Sequence, residues 1–299
     1  MKCFKANYLT NNLARGCCCL LGVTSAILAV VATPARALQV QVTPANPQLG
    51  DTLSVVIQTG NKSVSTSPTV AFNQKTYPAF KVAPNQFRAF VPTTPLEQSG
   101  KRKIRVSSEG EVKNLLLLVH ARSFPVQRIT LRGRSAGLEA TKYELNRVAD
   151  LKQLVTPKKF WNGPFLKPNN GPITTIYGVR RYYNGEFAKD YYHRGVDYAA
   201  AVGSPVIAPA SGRVALVGRV SQGFQVHGNT IGIDHGQGVT SVFLHLSRIN
   251  VKEGDLVRAG MVIGAVGATG AVTGPHLHWG LYVLGQSVDP VPWRNNQFR

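Results

Sequence analysis

The sequence predicts a mainly β protein built from two successive β-rich modules. Three observations carry this. Residues 38–122 fall into about seven short apolar runs separated by Pro, Gly, Asn and Ser turns. Residues 160–299 repeat that texture with more glycine and without a long amphipathic helix. Between them, one stretch changes its apolar period from two towards the helical 3.6 residues. The first module is expected as a β-sandwich of immunoglobulin-like type. The second is expected as a compact, mostly antiparallel sheet with long loops at its rim.

The chain begins with a stretch that reads as a leader, residues 1–37. Lys2, Lys5 and Arg15 form a basic start, Cys17 to Ala32 is an apolar run, and Ala35-Arg36-Ala37 is a small-x-small cleavage pattern. A single membrane anchor is the alternative, but the run is short for a span of about 20 residues. All four cysteines, Cys3, Cys17, Cys18 and Cys19, lie in this leader. Cut after Ala37, the chain has no disulfide and no thiolate ligand, so a metal site must use nitrogen and oxygen. The leader takes away four basic and no acidic residues, which lowers the net charge from +20 to +16. Such an excess favours anionic polymers. Export argues against nucleic acid and leaves anionic envelope polymers, or a basic surface that serves only solubility.

In residues 38–122 the expected strands are Leu38–Val42, Leu53–Ile57, Thr69–Phe72, Phe87–Val91, Lys103–Val106 and Val112–Val119. The last is a continuous apolar run, which suits a buried position. The single histidine here is His120, so the module reads as a spacer, binding or shielding domain. Residues 123–159 form the connection. Ser123–Thr130 reads as extended. From about Gly137, Leu138, Leu145, Val148, Leu151 and Val155 recur at roughly helical spacing. They predict one amphipathic helix ending before Pro157.

In residues 160–299 the expected strands are Val206–Ala208, Arg213–Val217, Thr230–Asp234, Val239–Leu246, Met261–Val266 and Leu277–Val283. His235-Gly236-Gln237-Gly238 reads as a hairpin turn. The chemistry gathers in Gly274-Pro275-His276-Leu277-His278-Trp279. In a strand, His276 and His278 point to the same face. His193-Arg194-Gly195-Val196-Asp197 forms a second cluster, and His245 stands between the two in the chain. In an extended strand His193 and Asp197 would lie about 13 Å apart. They can share one metal ion only if the chain bends, and Gly195 can supply the bend. His278 offers a third ligand, leaving a fourth position for water.

His193-x-Gly-x-Asp197, Leu244-His245-Leu246-Ser247 and Thr273-Gly-Pro-His276-Leu-His278 resemble the three signature segments of the lysostaphin-type (LytM-type) zinc endopeptidases. The resemblance covers roughly Phe160 to Trp293, and a preceding immunoglobulin-like domain is familiar in the family. It implies a small antiparallel β domain with an open groove. It implies His193, Asp197 and His278 as ligands of one zinc ion, and His245 and His276 as catalytic histidines. It also implies the cross-linking peptides of bacterial peptidoglycan as substrate. The expected boundaries are 1–37 signal peptide, 38–122 sandwich, 123–159 linker and 160–299 peptidase domain.

The function expected is a secreted zinc metalloendopeptidase in the periplasm, cell envelope or medium, acting as a monomer. The alternative is a non-enzymatic LytM-type regulator that binds and activates cell-wall amidases. One departure stands out: the family often has Tyr two residues before the first catalytic histidine, and this chain has Phe243. Tyr177 and Tyr191 are candidates to compensate. Arg180, Arg181 and the tyrosines near them either hold peptide carboxylates or face solvent. His227 and His235 receive no role. Gly264, Gly267, Gly270 and Gly274 fit no phosphate loop and read as tight turns beside the groove.

Overall fold

The structure, a computed structural model, describes residues 38–60, 64–130, 138–295 and 298. The expected leader lies outside them, as do residues 131–137 of the connection. None of the described helices is long and apolar enough to cross a membrane.

The first half holds β1 (Gln39–Thr43), β2 (Thr52–Gln58), β3 (Thr69–Phe72), β4 (Lys75–Pro78), β5 (Phe80–Ala83), β6 (Gln86–Pro92), β7 (Gly100–Ser108) and β8 (Glu111–Val119). They form two antiparallel sheets, ordered β1-β2-β6-β5 and β4-β3-β7-β8. Leu53, Val55 and Ile57 from the first meet Phe72, Ile104 and Val106 from the second in one core. Alternation along β2, β3 and β7 aims one face of each inward, as the sequence predicts. Strands β4 and β5 are missing from that reading. The turn into β4 uses Asn73 and Gln74, both at positive φ, without the Asn-Gly pair that flags a hairpin.

Strand β8 corrects an expectation. Its apolar run is buried on one side alone: among the described residues it is an edge strand paired with β7. Leu115 and Leu117 pack inward, while Leu116 is 70% exposed and Val112 and Leu118 also face out. A run of leucines reveals that a strand is apolar, but not whether a second layer covers its outer face.

The connection contributes β9 (Val126–Ile129) and helix α1 (Lys142–Lys152). The helix starts later and ends earlier than its apolar spacing suggests. Thr141 caps its N-terminus in a reciprocal box with Glu144, a signal the apolar period does not carry. Val148 and Leu151 bury against Leu216, Phe224, Val242 and Tyr282 of the second half. Leu145 and Val155 stay exposed.

The second half holds β10 (Ile173–Thr175), β11 (Arg180–Tyr183), β12 (Glu186–Phe187), β13 (Val196–Ala199), β14 (Pro205–Ile207), β15 (Gly212–Gly218), β16 (Asn229–Gly236), β17 (Val239–Leu246), β18 (Arg248–Ile249), β19 (Leu256–Val257), β20 (Val262–Ala265), β21 (His276–Val283) and β22 (Gln286–Val288). The main antiparallel sheet runs β10-β13-β21-β17-β16-β15-β19, with β22 also on β21. Two small sheets, β14-β20-β18 and β12-β11-β9, complete it. The β16–β17 hairpin turns at Gln237 and Gly238, both at positive φ. The turn is tighter than expected, because His235 and Gly236 belong to β16. Strand β9 runs parallel to β11, so the connection is woven into the second half. The two halves also meet where Phe90 packs on Trp161 and Trp293, and where Arg122 pairs with Asp289 at 2.7 Å.

Candidate metal centre and active site

Three neighbouring strands of the main sheet, β13, β21 and β17, carry the site. Asp197 on β13 stands directly opposite His278 on β21, and opposed residues of an antiparallel pair bring their side chains together. His276 lies two residues before His278 and so shares its face. His193 precedes β13. Its backbone pairs with Gly178 and Val179, and the chain bends at Gly195 before entering the strand. The bend closes the span that an extended chain would leave open. Gly195 is needed for closeness as well. A Cβ there would stand 2.4 Å from the Trp279 carbonyl oxygen and 2.8 Å from two ring atoms of His278.

The three expected ligand atoms converge. His193 Nε2 is 3.0 Å from Asp197 Oδ1 and 3.0 Å from His278 Nδ1, and His278 Nδ1 is 2.8 Å from Asp197 Oδ1. A tetrahedron with metal–ligand bonds of about 2.0–2.1 Å has edges of about 3.3 Å, so this triangle suits one small divalent ion. His193 Nδ1 donates to the Ile176 carbonyl at 2.8 Å, which leaves the lone pair on Nε2 where the triangle needs it. Burial pushes Asp197 towards protonation, but its hydrogen bonds with His193 and His278 outweigh this and hold its carboxyl well below the usual range. Burial lowers His278 to about 4 against the opposing pull of Asp197. An ionised carboxylate and neutral imidazoles are the forms that bind metal.

His245 and His276 flank this triangle. Their rings lie 4.9 Å apart between centroids, His245 lies 6.5 Å from His278, and His276 Nε2 is 4.0 Å from Asp197 Oδ1. Each donates Nδ1–H to a backbone carbonyl, His245 to Thr269 at 2.9 Å and His276 to Gly274 at 2.8 Å. Each neutral ring therefore keeps its lone pair on Nε2. His245 reaches its position by an unusual backbone. Two residues of β17, Leu244 and His245, oppose Thr230 alone on β16, and His245 has φ +65°. Such a bulge re-aims a side chain, at a cost of about 1–3 kcal/mol for a non-glycine in this region. The His245 N–H donates to the His227 carbonyl at 3.0 Å. Gly267 lies under it, too close to the His245 carbonyl for any Cβ. Burial, then the neighbouring His276 and His278, lower the His245 imidazole to about 3.

All five sequence-predicted residues thus meet in one groove of about 1110 Å³. The others sort themselves. His235 is a fully buried strand residue, hydrogen-bonded to Ser211 and Ser241. Phe243 is fully buried in the core. Tyr177 is buried with its hydroxyl on the Ser287 carbonyl, so of the two tyrosines expected to compensate, Tyr191 alone lines the groove. Arg180 donates to the backbone carbonyls of Tyr191 and Lys189, while Arg181 faces the groove.

Glu144 of α1 is a supporting residue that the sequence reading misses. Fully buried, it accepts from the backbone N–H of Gln225, Val226 and His227 and meets His227 Nδ1 at 2.5 Å. It holds the loop whose carbonyl fixes His245. The Thr141-x-x-Glu144 capping box could have drawn attention to it, but its partners lie about 80 residues away in the chain.

Residues 191–290 match the sequence model of peptidase family M23. The DD-carboxypeptidase/endopeptidase Mpg of Neisseria meningitidis serogroup B is 46% identical over 99 residues, covering 33% of this chain and 22% of that protein. The peptidoglycan DD-endopeptidase ShyC of Vibrio cholerae is 43% identical over 98 residues, again 33% of this chain and 22% of that protein. The aligned stretch is thus about a fifth of the length of these curated relatives. Among solved structures, a proposed peptidase M23 from Pseudomonas aeruginosa superposes with a TM-score of 0.62 at 26% identity, over 85% of this chain and 96% of that one. With the signature histidines and aspartate in one groove and these matches beside them, residues 191–290 are a domain of peptidase family M23, of the lysostaphin (LytM) type.

Proposed function

We propose that this chain is an exported, zinc-dependent endopeptidase that hydrolyses the peptide cross-links of bacterial peptidoglycan. The observation that carries the reading is the triangle of His193 Nε2, Asp197 Oδ1 and His278 Nδ1 with edges of 2.8–3.0 Å, beside two further imidazoles. The three residues are the ligands of one ion per chain. Three protein ligands leave a position open, as in catalytic rather than structural zinc sites. A divalent ion held there supplies Lewis-acid polarisation of the scissile carbonyl and of an attacking water.

His245 and His276 move the protons. The His245 Nε2 lone pair, left free because Nδ1–H donates to the Thr269 carbonyl, accepts a proton from the attacking water. His276, 20% exposed at its side chain, can exchange protons with solvent and serves the oxyanion or the leaving amine. In sum, water adds to the carbonyl carbon, the C–N bond breaks, and the amine leaves protonated. For the first half we propose an immunoglobulin-like sandwich. Its support is the strand order, which matches the ABED and CFG division of such domains with one extra edge strand.

The experiment is incubation of the chain from residue 38 onward with purified peptidoglycan, with and without a chelator. New amino termini that cease on chelation are expected. Binding to the polymer without release would favour the amidase-regulator alternative.

A further inference from the structure

The walls of the groove are unevenly charged. Among the described residues Lys152, Arg181 and Arg194 line it, against the single carboxylate of Asp197. That carboxylate is already engaged with two imidazoles, and a divalent ion would add further positive charge. Burial, and after it the nearby Arg194, push Lys152 down to about 8. A groove of this kind concentrates anions.

Among the described residues Arg181 is the one Lys or Arg within 4.0 Å of the Asp197 carboxylate. It sits on β11, held by strand β9 of the connection: its Nε donates to Gln127 Oε1 at 3.2 Å. Its Nη1 meets the hydroxyls of Tyr183 at 3.2 Å and Tyr191 at 3.5 Å. Among the described residues Nη2 makes no hydrogen bond. It faces Asp197 Oδ2 at 3.8 Å, the oxygen turned away from the imidazoles. The fork is therefore fixed on three sides with one nitrogen left to donate. Its side chain is 13% exposed, so an anion taken up there is largely shielded from water. A guanidinium held this way fits a carboxylate.

We propose that Arg181 is a specificity residue that binds a free α-carboxylate on the residue supplying the leaving amine. This rests on the endopeptidase reading above. Its position beside Asp197 restricts the bound carboxylate to a residue flanking the scissile bond. The residue on the acyl side has spent its α-carboxyl in that bond. The amine-side residue keeps such a carboxylate when it ends its chain, or when it is a diamino diacid whose second amine, on a carbon that also bears a carboxyl, forms the bond. The chain then favours such bonds over internal bonds of a glycine bridge, whose leaving residue carries an amide in that place. The step remains hydrolysis: C–N breaks, the water oxygen stays on the carbonyl carbon, and the amine takes the proton.

The test uses the chain from residue 38 onward with one equivalent of zinc. The probes are two synthetic cross-link peptides, identical except for a free acid or an amide at that α-carboxyl. A hydrogen bond to a charged group corresponds to a preference of about 10- to 100-fold in kcat/KM for the acid. Arg181→Gln should bring the ratio to within about threefold, chiefly by raising KM for the acid, and Arg181→Lys should fall between. Zinc content and melting temperature check that each variant is folded and loaded. Equal cleavage of acid and amide by the wild type overturns the inference. So does an Arg181→Gln variant that loses both activities equally with the ratio intact, which would reduce Arg181 to a prop for Asp197. Cleavage of peptidoglycan with neither peptide cut also overturns it and leaves the endopeptidase reading standing. Inactivity on all three substrates sinks both.

Discussion

Replacing Glu144 by Gln keeps the shape of the side chain and removes one acceptor. The carboxylate oxygen Oε2 accepts from Thr141 N–H at 3.3 Å and Gln225 N–H at 3.0 Å, while Oε1 serves Val226 at 3.1 Å and His227 at 2.6 Å. An amide has one oxygen, and its NH₂ would face donors on the other side. Two charge-assisted bonds are lost in a fully buried place, each worth about 1.5–3 kcal/mol. Allowing for local relaxation, a loss of about 3 kcal/mol is expected, a large part of the roughly 5–15 kcal/mol that holds a typical domain. Urea unfolding should show a lower midpoint with an unchanged slope. The rate on peptidoglycan should fall at constant zinc content, because the loop that fixes His245 loosens. The effect has a pH signature. Burial raises the Glu144 pKa, but the hydrogen bonds from His227 outweigh it and set the folded value below 4.5. Its contribution is therefore present above about pH 4.5 and fades as pH falls through the lower folded value. The Gln variant should lack that acid-side loss. If Glu144→Gln unfolds within about 0.5 kcal/mol of wild type and keeps its rate, α1 is a mere tether and the reasoning fails.

Other perturbations probe separate parts of the account. His245→Ala and His276→Ala should each keep the ion and lose about 10²- to 10⁴-fold in rate; wild-type turnover in either removes that residue from the catalytic set. Gly195→Ala drives a methyl group into the Trp279 carbonyl and the His278 ring, so it should cost about 1–3 kcal/mol and weaken zinc binding by calorimetry. An unchanged zinc affinity would refute the close-approach argument. Leu116→Ser, on the open face of β8, should change unfolding stability by no more than about 0.5 kcal/mol. A cost of several kcal/mol would mean that something covers this face in solution.

The proposed metal and catalytic residues were legible through the three signature segments that carry them, and in two of these the spacing itself is informative. His276 and His278 two apart on a strand, and His193 and Asp197 around a glycine, carry their geometry in their numbering. What holds them in place was less visible. The bulge that turns His245 depends on how β17 pairs with β16, and Glu144 reaches its loop only after the helix has packed on the sheet. Arg180 and Arg181 alternate on β11, so they must face opposite ways, yet the sequence does not say which of them meets the groove. The leucines of β8 show the same limit: periodicity finds a strand, while burial depends on whether another layer lies over it.

Zinc titration into chelator-stripped protein, with release of amino termini from peptidoglycan followed at each addition, tests the central claim most directly. Activity should rise in proportion to the metal up to one equivalent and then level off, with neither binding nor release in a His278→Ala chain. Full hydrolysis by the stripped protein, or one tightly bound equivalent that brings no hydrolysis, would contradict the account.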